Sequence, residues 1–150
     1  MMNGMTYYSD LPARLIEYIR DETSDSLYYL ELANEAPDGR AKELFSEFSQ
    51  DEAGHAANFR QVYRQITGME AVIETVAPPK IPPYCEAIKA RIMAESGDLV
   101  KYGTEFTNAC DRELANLFYI TSLVEGRHGM RLWRRYCVVW RDKSARKSVL

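Results

Sequence analysis

Three cysteines, two histidines and two tryptophans are all that this chain has of those residues. Cys85, Cys110 and Cys137 are odd in number and far apart. They argue against a disulfide framework and suit a reducing, cytoplasmic interior. No Cys-x-x-Cys pair occurs, so a cysteine-held zinc or iron centre is not expected, and each cysteine reads as a small, half-buried apolar residue. No apolar run approaches the roughly 20 residues of a membrane span. Met1 to Asp10 lacks a basic region followed by an apolar core, so no signal peptide is expected. The formal net charge is only −3, which gives no global reason to bind nucleic acid. Low complexity is absent too, and nothing reads as disordered. At 150 residues a single domain spanning 1–150 is expected, with a sizeable core.

What the chain does have is helical periodicity, centred on Asp51-Glu52-Ala53-Gly54-His55. Leu44, Phe45, Phe48, Glu52, His55, Phe59 and Val62 recur every three or four residues, the buried stripe of an amphipathic helix. Two positions of that stripe are a carboxylate and an imidazole, which are costly in a core unless compensated. A Glu and a His three apart lie one turn apart on one face, so both can reach one metal ion. A Glu-x-x-His from each of two helices, with a Glu from each of two others, is the ligand set of a di-iron or di-manganese bundle.

The second histidine repeats the pattern. His55 follows Glu52 by three, and His128 follows Glu125 by three. Glu22 lies thirty residues before Glu52, as Glu95 lies thirty before Glu125. An offset of 73 carries Glu22, Asp25, Tyr29, Asp38, Glu52, His55 and Tyr63 onto Glu95, Asp98, Tyr102, Asp111, Glu125, His128 and Tyr136. This is an internal repeat. An isolated Glu-x-x-His is usually a solvated face or a satisfied histidine. Two copies in register, with two matching glutamates and two tyrosines, favour metal ligation. Glu31, Glu35, Glu43 and Glu47 read as an ordinary solvated charge face.

The spacing predicts four helices. Ser9 or Asp10 is the expected cap of the first, with Pro12 in its first turn. Leu11, Leu15, Tyr18, Ile19, Glu22, Ser26, Tyr29 and Ala33 trace its inner face to about Glu35. Asp38 caps the second helix, which runs to about Thr67 and ends at Gly68. Pro78, Pro79, Pro82 and Pro83 keep residues 69 to 83 extended. About 15 extended residues reach about 50 Å, enough to return along a helix about 42 Å long. The expected fold class is therefore all-α, a ferritin-like four-helix bundle with a long crossover between helices two and three. The third helix spans about Pro83 to Ala109, with Ile88, Ile92, Glu95, Leu99, Tyr102 and Phe106 on one face. Asp111 caps the fourth, which turns Leu114, Leu117, Thr121, Glu125, His128 and Leu132 inward and ends near Arg141. Its last turns mix arginines with Trp133, Tyr136 and Trp140, read as a basic helix terminus complementing the macrodipole with aromatics in a core or dimer contact. Lys143 to Leu150 is expected to fray.

The pattern Glu22…Tyr29, Glu52-x-x-His55, Glu95…Tyr102, Glu125-x-x-His128 resembles the diiron domain of rubrerythrin-like proteins, over about residues 10 to 140. That resemblance implies bridging roles for Glu52 and Glu125, terminal roles for Glu22 and Glu95, and one histidine, His55 or His128, on each metal. Two departures stand out. Where rubrerythrins carry a further Glu three residues after the third-helix ligand, this chain has Asp98, mirrored by Asp25, and both read better as partners behind the ligands. No cysteine pairs follow the bundle, so no rubredoxin domain is expected, and electrons are expected from a separate donor protein.

Carboxylates and imidazoles suit iron and manganese, with iron the first choice. Two such ions per chain can deliver two electrons to an O–O bond. Tyr29 and Tyr102, two turns from Glu22 and Glu95, are placed to hydrogen-bond a ligand carboxylate. The expected activity is a peroxidase or oxidase reducing hydrogen peroxide or oxygen. Ferritin-like iron oxidation and storage and diiron hydroxylation are the alternatives, and a non-catalytic interaction module is the reading outside enzymes. The resemblance also implies a homodimer, with Trp133 and Trp140 as the candidate contact.

Overall fold

The computed structural model describes the backbone of residues 4–147 and the side chains of residues 7–138. Four helices account for its regular structure: α1 (Gly4–Asn34), α2 (Gly39–Thr67), α3 (Tyr84–Asn108) and α4 (Arg112–Lys147). No strand occurs among the described residues, so the chain is all-α, as its periodicity requires. It divides into two compact units: Met1–Ile81 with Asn108–Ala115, and Pro82–Thr107 with Asn116–Leu150.

The first unit is built on a hairpin of α1 and α2. Tyr18 packs on Phe59 with ring centroids 5.7 Å apart, and Tyr29 stacks near Phe45 at 6.4 Å. Rising numbers on α1 meet falling numbers on α2, so the two helices run antiparallel. Between those aromatic layers Ser26 and Ser49 exchange hydrogen bonds, each hydroxyl donating to the other's backbone carbonyl at 2.8 Å. Leu11, Leu15, Ile19, Leu32, Phe45, Phe48 and Phe59 are buried. Each such side chain contributes on the order of 1.5–3 kcal/mol by leaving water.

The turn between these helices works as its sequence dictates. Asp38 Oδ1 accepts from the Ala41 N–H at 2.8 Å, satisfying one of the donors orphaned at a helix start. Gly68 closes α2 with φ 71°, a left-handed conformation that a Cβ would strain. Beyond it the proline-rich connection has no helix up to residue 83. Arg60 Nη1 ties it down by donating to the Ala71 carbonyl at 3.1 Å. Also in this unit, the Tyr8 hydroxyl accepts from the backbone N–H groups of Asp111, at 2.8 Å, and Cys110, at 3.2 Å.

The second unit repeats the hairpin with α3 and α4. Arg135 Nε donates to the Tyr84 hydroxyl at 3.0 Å near one end. Tyr102 stacks with Phe118 at 6.2 Å, and Phe106 lies 5.2 Å from Tyr119 near the other end. Tyr102–Phe118 is the 73-residue image of Tyr29–Phe45, and the interplanar angle is 15° in both. Gly126 and Gly129 of α4 face side chains of α3. A Cβ on Gly126 would lie 3.4 Å from the Leu99 side chain, and one on Gly129 would lie 3.5 Å from the Glu95 Cβ.

Three element-level expectations need correction. Helix α1 begins at Gly4 rather than at Ser9 or Asp10, with Pro12 inside it. A proline needs no N–H of its own, and the Arg14 guanidinium donates to the Tyr7 carbonyl at 3.3 Å beside the ladder that Pro12 interrupts. On α3, Leu99 and Phe106 are exposed at 38% and 40%, while Arg91 and Glu105 are buried. The inner stripe therefore runs through Ala87, Ile88, Arg91, Glu95, Tyr102 and Glu105. Finally, α4 stays helical to Lys147, past Arg141 and into the stretch expected to fray. Residues 148–150 and the side chain of Trp140 lie outside the described residues.

Candidate metal centre

In the first unit, α1 brings Glu22 and α2 brings Glu52 and His55 to one buried point. Exposure is 3%, 1% and 7% for the three, values at which a charged group needs compensation. His55 Nδ1 lies 2.9 Å from Glu52 Oε2, one turn earlier on the same helix, and 3.3 Å from Glu22 Oε2 across the hairpin. The remaining oxygen of Glu52, Oε1, is buried as well. One donor atom from each of the three lies within 4.8 Å of the others.

Two carboxylates crowded out of water cannot both ionise cheaply. The Glu22 carboxyl is pushed up to about 7, first by burial and then by repulsion from Glu52, with the hydrogen bond from His55 opposing both. A cation is what such a set calls for: it favours both ionised carboxylates, and an imidazole is a common partner for it.

The second unit repeats the arrangement. His128 Nδ1 is 3.4 Å from Glu95 Oε2 and 3.6 Å from Glu125 Oε2. All three are buried, at 0%, 0% and 2% for His128, Glu95 and Glu125. Their donor atoms also fall within 4.8 Å of one another. The same ring nitrogen thus faces the same two carboxylates in both hairpins. All six candidate ligands, Glu22, Glu52, His55, Glu95, Glu125 and His128, are buried, three in each unit.

The tyrosines read as carboxylate partners are both fully buried. Tyr29 lies among Phe45, Phe48 and Tyr28. Tyr102 lies against Phe118, with Lys101 Nζ 4.5 Å from its ring centroid. Asp98 pairs with Lys101, Oδ1 to Nζ at 2.5 Å. Periodicity alone missed Arg91. Its Nη2 donates to Glu95 Oε1 at 2.7 Å, with side-chain exposures of 8% and 0%. The four-residue spacing was the available signal, since a basic and an acidic residue so placed share a face. A cavity of about 340 Å³ also opens in this hairpin, lined by Ile92, Leu99, Met130 and Trp133 and reaching Glu125.

Residues 15–136 match the family model of rubrerythrin. The chain belongs to the rubrerythrin family. No curated protein and no solved structure matches it. Membership of the rubrerythrin family carries non-haem metal binding with it, and the donor sets fit. Hard carboxylate oxygens and a borderline imidazole nitrogen suit first-row ions, and both sets are buried. No helix among the described residues is long and apolar enough to cross a membrane.

Proposed function

We propose that this rubrerythrin-family chain is a dinuclear non-haem metal oxidoreductase that reduces hydrogen peroxide or oxygen, with electrons from a separate donor protein. The observation that supports it is the twice-built Glu–Glu–His set, buried in both hairpins. By family resemblance, Glu22 and Glu95 would hold metal as terminal carboxylates, Glu52 and Glu125 would be shared between two ions, and His55 and His128 would each supply an imidazole. Iron is the favoured metal and manganese the alternative. Bound metal supplies one electron per ion, and two electrons with two protons convert hydrogen peroxide to two waters.

The chain's own residues hold the charge and exclude water. Glu52 and His55, one turn apart, present their donors together, as do Glu125 and His128. Tyr29 with Phe45 and Phe48, and Tyr102 with Phe118, add buried aromatic carbon to the same two hairpins. Each tyrosine hydroxyl is assigned to steady a ligand carboxylate through a hydrogen bond. Two copies pair as a cytoplasmic homodimer, with Trp133, 58% exposed and stacked on Tyr136, in the contact.

Metal analysis of anaerobically purified protein, followed by rapid mixing with peroxide and with oxygen, tests this reading. Two ions per chain, oxidised faster by peroxide than by oxygen, are expected. Sustained turnover of many Fe(II) per chain with a growing ferric core would replace it with iron storage. The cavity beside Glu125 favours one further reading, hydroxylation of a small apolar substrate. Incorporation of oxygen from O₂ into such a molecule would put that reading first.

A further inference from the structure

The two donor sets are alike in their ligands and unlike in one neighbour. Position 91 is the 73-residue image of position 18. In the first unit that position is Tyr18, a neutral ring packed on Phe59 at 5.7 Å. In the second it is Arg91, buried and bonded to Glu95 Oε1 at 2.7 Å. Glu22 has therefore no arginine at the image position, while Glu95 has one a turn away. At this repeat position the second hairpin carries a buried positive charge where the first carries a neutral ring.

Two consequences follow from charge and geometry. The guanidinium holds Oε1 of Glu95, and Oε2 is the atom on the His128 side, 3.4 Å from Nδ1. A divalent ion bound by this set also meets a fixed positive charge in a site with little water to screen it. Arg91 does save Glu95 the cost of being ordered as the protein binds metal. That cost concerns the rotamers of a single side chain. Repulsion between a buried monocation and a dication outweighs it where little water screens the pair.

We propose that Arg91 is a positioning residue that makes the two metal positions unequal: it holds Glu95 as a one-oxygen ligand and makes the His128 position the weaker and more readily exchanged of the two. The inference rests on the reading of Glu95 and His128 as ligands. Without metal, the same arginine stabilises the fold by neutralising Glu95. Removing its charge therefore acts in opposite directions on the metal-free protein and on metal affinity, which a purely structural role would not do.

The test is an anaerobic titration of metal-free, full-length protein with Mn(II), with free Mn(II) followed by electron paramagnetic resonance and the melting temperature of the metal-free form recorded in parallel. The wild-type chain should bind two Mn(II) in classes about tenfold or more apart. His128→Ala should abolish the weaker class and His55→Ala the tighter one. Arg91→Gln, which keeps a hydrogen-bond donor and loses the charge, should lower the metal-free melting temperature and tighten the weaker class by about tenfold. Arg91→Lys, which keeps the charge, should retain the gap. Two equal classes in the wild type would overturn the inference while leaving the dinuclear reading intact, as would a weaker class unmoved in a folded Arg91→Gln. A weaker class that loosens in both variants would assign Arg91 a structural role and equally overturn it. Failure of the wild-type chain to bind Mn(II) or Fe(II) would sink the ligand reading itself and the inference with it.

Discussion

Glu22 on α1 and His55 on α2 meet across the first hairpin, Oε2 to Nδ1 at 3.3 Å, with Glu52 Oε2 at 2.9 Å from the same nitrogen. Burial and that second carboxylate raise Glu22 from an ordinary 4.5 to about 7. The folded protein therefore keeps a proton that the unfolded chain releases between those values. Stability of the metal-free protein should be fully present below about pH 4.5 and fall as pH rises through 7, by about 3 kcal/mol from this group. Urea melts of metal-free protein at stepped pH would show it. Glu22→Gln should flatten that dependence, and an equally steep fall in the variant would assign it to other groups.

Metal must displace that proton and relieve the repulsion between carboxylates. Added Fe(II) or Mn(II) should thus raise the melting temperature near neutral pH, and by more at pH 8 than at pH 6. At a free concentration a hundredfold above the dissociation constant, the gain is about 2.7 kcal/mol. A melting temperature indifferent to both ions would count against the site.

Glu52→Ala and Glu125→Ala each remove a buried carboxylate proposed to bridge. Either should reduce bound metal from two ions per chain to one or none, read by elemental analysis after anaerobic loading. Retention of two ions in either variant would refute the bridging assignment.

The helix caps supply a prediction free of metal. Asp38 Oδ1 accepts from the Ala41 N–H and Asp111 Oδ1 from the Leu114 N–H, both at 2.8 Å. Asp38→Ala and Asp111→Ala should each cost about 1 kcal/mol. For a chain of this size that is a loss of about 2–4 °C in melting temperature. Circular dichroism melts of the two variants should agree closely with each other, because the caps are images of one another.

Much of this was legible before the structure. Apolar residues at helical spacing marked the helices, and Asp38, Gly68 and Asp111 marked ends, because caps are local chemistry. The six buried donors were legible because polar residues on an apolar stripe need a reason, and the repeat gave it twice. Arg91 was not. A basic residue on a helix is ordinarily solvated, and beyond its spacing from Glu95 it is the folded chain that shows Arg91 on the inner stripe, with Leu99 and Phe106 outside it. The reciprocal Ser26–Ser49 bonds were equally hidden, since Ser49 sits off the apolar stripe and its partner is a backbone carbonyl on another helix. The start of α1 was misjudged because Pro12 reads as a first-turn residue, whereas here it lies eight residues inside the helix that begins at Gly4.

The Tyr29–Phe45 and Tyr102–Phe118 stacks share one interplanar angle, 15°, although nothing in either hairpin copies the other except its sequence. The chain is in that sense its own control experiment. Two ions bound to matched donors in matched aromatic walls would give identical spectra if the halves were identical. Any splitting between them has to originate where the copies have diverged, and beside the ligands those places include Tyr18 against Arg91, Phe48 against Thr121 and Phe59 against Leu132. The reference for each half is carried 73 residues along the same polypeptide.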